Sequence, residues 1–150
     1  GPVCNCGNRG CLETFCSTTA LFARLRAAGI PVSYQDIYGS DPNEAALAEL
    51  AAAFAAGDEA VTACLQSYGR DLCCAIVSLV NLLDVRAVRL GGFPYLLGEP
   101  FAELLRSILA EDFHILTSTG ELELQLFDCK YEDVRKAAVL QTLEAIFSRH

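Results

Sequence analysis

No methionine occurs in this chain, so it carries no initiator and reads as a processed or excised segment. Positive charge is scarce: 11 lysines and arginines stand against 19 aspartates and glutamates, for a net charge of −8. The basic residues are scattered, whereas a surface that grips nucleic acid clusters its cations against the phosphates. This segment therefore lacks the electrostatic footprint of a nucleic-acid binder. Long apolar runs are missing too. The longest, Leu72 to Leu83, falls short of the roughly 20 residues a spanning helix needs and contains Ser78 and Asn81. No stretch reads as a signal peptide, and there is no internal repeat, low-complexity tract or linker. The eight cysteines would suit a secreted disulfide scaffold, but the surrounding chain is rich in alanine and leucine and helix-forming. Cys64, Cys73, Cys74 and Cys129 fall in apolar segments, where thiols act as small hydrophobes. A reducing cytoplasm is the expected compartment.

What is present is enough for one domain. A chain of 150 residues can bury a core of its own. Its apolar fraction of 53% and mean hydropathy of +0.33 are high for a lone soluble domain. The expectation is a single-domain fragment, residues 1–150, some of whose apolar surface meets further elements or another copy of the chain.

The periodicity predicts a helix over Thr14 to Ala28, stopped by Gly29 with Pro31 beyond. Tyr34, Tyr38 and Gly39 lie in a polar-aromatic connection. Asp41 as N-cap and Pro42 at the first position then open a second helix that stops near Gly57. Asp58 caps a third, reaching about Leu83. This helix is apolar on nearly all sides from Cys73 to Leu83, which predicts burial of its second half. The period then changes: Ala87 to Leu90 reads as a strand ending on Gly91-Gly92, Pro100 to Leu109 as a helix, and Leu122 to Phe127 as an alternating, half-buried strand. Tyr131 to Arg149 is a closing amphipathic helix. Strand, helix, strand, helix predicts an α/β layer with parallel strands. Two strands alone leave edges and faces uncovered, so more of the sheet is expected outside this segment.

The chemistry-bearing stretch is at the start. Cys4, Cys6 and Cys11 form a Cys-x-Cys-x4-Cys knuckle (residues 1–13), with Glu13 two residues on. Thiolates bind a borderline-soft cation, and Gly7 and Gly10 permit the tight turns that bring them together. A structural zinc site takes four ligands and the knuckle offers three. Either Cys16 completes the set, or the fourth ligand lies outside the segment.

Cys4 to Glu13, in the pattern Cys-x-Cys-Gly-x-x-Gly-Cys-Leu-Glu, resembles the zinc motif of the ROK family of sugar kinases, sugar-responsive repressors and uncharacterised relatives. The run Leu79-Val80-Asn81-Leu82-Leu83-Asp84, leading to a strand and Gly91-Gly92, is similar to a second segment of that family. The resemblance implies a helix-rich, strand-poor part of the second lobe of an actin-like, ribonuclease-H-like α/β ATPase fold. It implies that Cys4, Cys6 and Cys11 are zinc ligands, that the fourth is an upstream histidine to which neither His114 nor His150 corresponds, and that Glu13 accepts a hydrogen bond from a sugar hydroxyl. In kinase members the counterparts of Gly91 and Gly92 approach the adenine nucleotide. No catalytic residue of the family falls within this chain. Two departures point away from a kinase: Phe93-Pro94-Tyr95 follows Gly92 where small residues are usual, so bulk is expected to crowd a nucleotide, and Lys136 replaces a glycine at the opening of the final helix. The resemblance thus implies the effector portion of a sugar-sensing regulator, touching DNA only through an absent N-terminal domain and forming homo-oligomers without membrane contact. The alternative is the corresponding lobe of an ATP-dependent sugar kinase.

Each motif also has a plainer reading. Three thiols can stand together without metal, and Glu13 can be a carboxylate favoured by a helix N-terminus. Gly91-Gly92 is a strand-to-helix turn, Cys73-Cys74 a pair of buried packing residues, and His114 a surface side chain.

Overall fold

The computed structural model describes residues 1–32, 44–115 and 122–128. The connection bearing Tyr34, Tyr38 and Gly39, the Asp41-Pro42 helix start, Cys129, and the closing helix with Lys136 and His150 lie outside the described residues.

In place of the single helix expected over Thr14 to Ala28 there are two: α1 (Glu13–Cys16) and α2 (Thr18–Ala27). Ser17 makes the break. Its backbone is extended (φ −81°, ψ 164°), and its Oγ accepts from Ala20 N at 3.1 Å, so the hydroxyl starts a new helix instead of continuing the old one. Two further helices follow, α3 (Glu44–Ala55) and α4 (Glu59–Leu83). Asp58 caps α4 as its position predicts, accepting from Val61 N at 3.0 Å.

The strands fall where the alternation puts them. β1 (Ala87–Leu90) and β2 (Glu123–Leu126) pair in parallel, with Ala87 opposite Glu123 and Leu90 opposite Leu126. Between them lie α5 (Phe93–Leu96), which periodicity did not predict, and α6 (Gly98–Asp112), which extends beyond the expected Pro100 to Leu109 at both ends. This strand–helix–strand unit confirms the α/β layer.

The core gathers on α4. Leu21, Phe22 and Leu25 of α2, Leu47 and Leu50 of α3, and Phe101, Leu105 and Ile108 of α6 are buried with Val61, Leu65, Tyr68, Cys73, Ile76 and Val80 of α4. Burial of each large apolar side chain contributes about 1.5–3 kcal/mol before entropy is counted. Gly69 is the point of closest approach: a Cβ there would sit 3.0 Å from Ile108 Cδ1 and 3.3 Å from Leu105 Cδ2. Below it the apolar run divides. Cys73, Ile76 and Val80 form a buried stripe, but Leu79, Leu82 and Leu83 are 53%, 79% and 62% exposed, and Cys74 is exposed as well. The expectation of burial all round is corrected: the buried side chains recur at three- and four-residue spacing, so only one face of the helix end is covered. No helix among the described residues is long and apolar enough to cross a membrane.

Candidate metal centre and adjoining groove

The knuckle folds as a miniature hairpin. Val3 and Arg9 form an antiparallel bridge. Cys4 N donates to Asn8 O at 2.8 Å, Gly7 N to Cys4 O at 2.9 Å, and Gly10 N to Pro2 O at 2.9 Å. Gly7 and Gly10 both have positive φ, +88° and +73°, the conformation their positions in these turns require. The turns bring the sulfurs of Cys4, Cys6 and Cys11 within 4.8 Å of one another, with Cys6 Sγ and Cys11 Sγ 3.5 Å apart. Zinc bonded tetrahedrally to thiolates at about 2.3 Å separates its ligand atoms by roughly 3.8 Å, so the donor set and its spacing fit such an ion. Among the described residues the group stops at three.

The thiols are not equivalent. Cys6 is held below the ordinary thiol value, chiefly by a backbone hydrogen bond from Asn8 and then by hydrogen bonds from Cys11 and Cys4. Cys11, whose proton serves the bond to Cys6, is pushed up to about 11. Cys16 does not join them. It packs against the core, and burial raises its thiol above the usual value.

Glu13 is the exposed first residue of α1. Among the described residues no hydrogen bond or ion pair engages its carboxylate. It lines an open groove of about 380 Å³ with Cys4, Asn5, Thr14, Ser17 and Thr19, a size within the range of small-molecule sites. The groove therefore brings one candidate ligand, Cys4, beside the carboxylate that the same motif supplies.

Gly91 and Gly92 do not line this groove. They end β1, and Gly92 (φ +75°, ψ −143°) is the N-cap of α5. Pro94 is buried, and Phe93 packs against the core with its ring centroid 5.7 Å from that of Tyr68, edge on. Tyr95 of this tripeptide stays exposed, at 40%. His114 is on the surface, as expected.

Sequence reading missed the residues that hold the site from behind. Arg24 of α2 pairs with Asp71 of α4, and Tyr68 Oη donates to the carbonyl of Cys16 at 2.6 Å. Tyr68 and Cys16 are 52 positions apart, and no local pattern announces such a contact.

The described residues thus form a helix-rich α/β unit with a three-thiol knuckle beside a groove lined by Glu13. The chain belongs to the ROK family, whose family model matches residues 1–117. It is 33% identical over 101 residues to the uncharacterized protein YphH of Escherichia coli K12, which covers 66% of this chain and 24% of that protein. With the xylose repressor of Bacillus subtilis strain 168 it shares 34% over 88 residues, 59% of this chain and 20% of the repressor. It thus spans only a fifth to a quarter of the length of these relatives. Among solved structures it resembles a ROK family transcriptional regulator, a homolog of the E. coli MLC protein (TM-score 0.51, 26% identity, 84% of this chain and 31% of that one). It also resembles the ROK hexokinase from Thermus thermophilus (TM-score 0.60, 26% identity, 97% and 46%). The fold is part of the actin-like ATPase architecture of these proteins.

Proposed function

We propose that the chain is the sugar-sensing effector portion of a ROK-type transcriptional regulator. The observation that carries this reading is the placement of the exposed Glu13 carboxylate in a groove lined also by Cys4, whose sulfur converges with those of Cys6 and Cys11. In this reading the three thiolates hold a structural zinc with a histidine from outside the chain. When bound, the ion supplies a crosslink that fixes the knuckle and hence the direction of Glu13. The ionised carboxylate accepts hydrogen bonds from vicinal sugar hydroxyls. The xylose repressors among its relatives support a regulatory role. Contact with DNA then falls to a helix-turn-helix domain outside this acidic segment. Residues 1–150 are one piece of the cytoplasmic effector domain, they contribute no catalytic group, and apolar surface such as Leu82 and Leu83 favours homo-oligomers.

The second reading is the matching lobe of a ROK sugar kinase, favoured by the hexokinase likeness over 97% of the chain. Gly91 and Gly92 would then border the adenine nucleotide, with Tyr95 at the edge of that space. An ATP-dependent phosphoryl-transfer assay on the full-length protein with D-xylose and D-glucose separates the two. The regulator reading expects background turnover together with a sugar-dependent change in DNA affinity; robust turnover overturns it.

A further inference from the structure

We infer that Tyr68 is a positioning residue for Glu13, clamping α1 from the core side while the cysteine knuckle holds it from the other. The inference rests on the reading of Glu13 as a sugar ligand. Its basis is the shortness of α1. Four residues are far below the length at which a helix holds itself in water, and the carbonyls at its end have no next turn to bond, because Ser17 breaks the chain away. Side chains of two other helices take their place. Tyr68 Oη, from α4, donates to Cys16 O at 2.6 Å, and Arg24 Nη2, from α2, donates to Phe15 O at 3.4 Å.

These two donors form one bracket. Arg24 also pairs with Asp71 and donates through Nη1 to Ser67 Oγ at 3.1 Å, while its guanidinium carbon lies 5.9 Å from the Tyr68 ring centroid. Ser67 and Asp71 thus hold Arg24 of α2, while Tyr68 from the same turn of α4 reaches α1 directly. The tyrosine itself has no freedom: it is fully buried, edge on to Phe93 and 6.2 Å from Phe101 between ring centroids. A buried phenol must find an acceptor, and here it is the backbone of the element that carries Glu13. At the other end, Cys11 O accepts from Thr14 N at 2.9 Å and from Thr14 Oγ1 at 2.7 Å, tying the last thiol of the knuckle to α1. Two clamps therefore fix the backbone from which the Glu13 side chain projects, and hydrogen bonds to a hydroxyl depend steeply on donor–acceptor geometry.

The test is Tyr68→Phe in the full-length protein, which keeps the ring and removes the donor. Amide hydrogen exchange at residues 12–16 is expected to quicken about tenfold, with α4 and α6 protected as in the wild type. Affinity for D-xylose or D-glucose, measured by titration calorimetry, is expected to fall by about the same factor, the effect of one buried hydrogen bond. Arg24→Gln, which keeps the Tyr68 hydroxyl but removes the contacts to Phe15 O, Ser67, Asp71 and the Tyr68 ring, should also quicken exchange at 12–16. Exchange that is unchanged at 12–16, or that quickens evenly through α4 and α6, overturns the clamp, since a residue of merely structural importance would loosen its own helix first. Glu13→Gln separates the two readings. If it abolishes sugar binding while Tyr68→Phe binds and exchanges like wild type, the positioning role falls and the sugar reading stands. If Glu13→Gln binds sugar normally, the sugar reading falls, and the positioning role with it, even where α1 loosens in Tyr68→Phe.

Discussion

Single residues here act mainly through backbone geometry. Gly92 is the clearest case. A Cβ at this position would meet no atom within 4 Å, so packing alone would permit alanine. The dihedral angles forbid it: φ +75° with ψ −143° is a region that only glycine occupies comfortably. Gly92→Ala is expected to lose about 1–3 kcal/mol in urea denaturation, and a loss below a few tenths would mean that the turn relaxes without cost. The knuckle was readable from sequence for a related reason. Its three thiols and two positive-φ glycines fall within eight consecutive positions, so spacing alone dictated their convergence. Tyr68 and Arg24 were not readable, because their partners on α1 and α4 come from across the fold and neither residue belongs to a local motif.

At the scale of elements, periodicity located α3, α4, α6 and the two strands among the described residues but not where a helix breaks. Ser17-Thr18-Thr19 is polar and the apolar face begins only at Leu21, so the spacing marks no stop at Ser17, where the chain turns extended and restarts on the serine hydroxyl. A side chain competing with the helix for backbone donors is the cause, and hydrophobic spacing does not register it. α5 was missed because Phe93-Pro94-Tyr95 has no helical period, only a proline early in the turn. Ser17→Ala should remove the cap and cost about 1 kcal/mol. It should also favour a continuous helix from Glu13 to Ala27. Thermal melting reads the stability, and exchange at Ser17 to Ala20 reads the junction. A melting temperature equal to that of wild type would show that tertiary packing, not the cap, divides α1 from α2.

For the molecule as a whole, the protonation of one buried thiol, two half-buried ones and a buried phenol contributes to how stability responds to alkali. Burial first, with Asp112 and Cys16 adding to it, pushes the Cys73 thiol from 9.0 up to about 12. Tyr68 is raised as well, chiefly by burial, and burial likewise raises Cys16 and Cys64. In each case the folded state keeps its proton to a higher pH than the unfolded chain does. The stability these groups contribute is fully present below pH 9 and is lost as pH rises through the folded values, because the unfolded chain ionises first. Net charge acts in the same direction, since a chain already at −8 gains further negative charge and self-repulsion. Stability measured by denaturant titration should therefore fall as pH rises beyond about 9. Cys73 alone accounts for about 2 kcal/mol by pH 10.5, at 1.36 kcal/mol for each unit of pH above 9. Cys73→Ala separates this contribution from general repulsion. It should start less stable by the small cavity it leaves beside Leu105, yet decline less steeply above pH 9. Parallel decline in the two proteins would assign the alkaline loss to net charge, Tyr68, Cys16 and Cys64, and would remove Cys73 from the account.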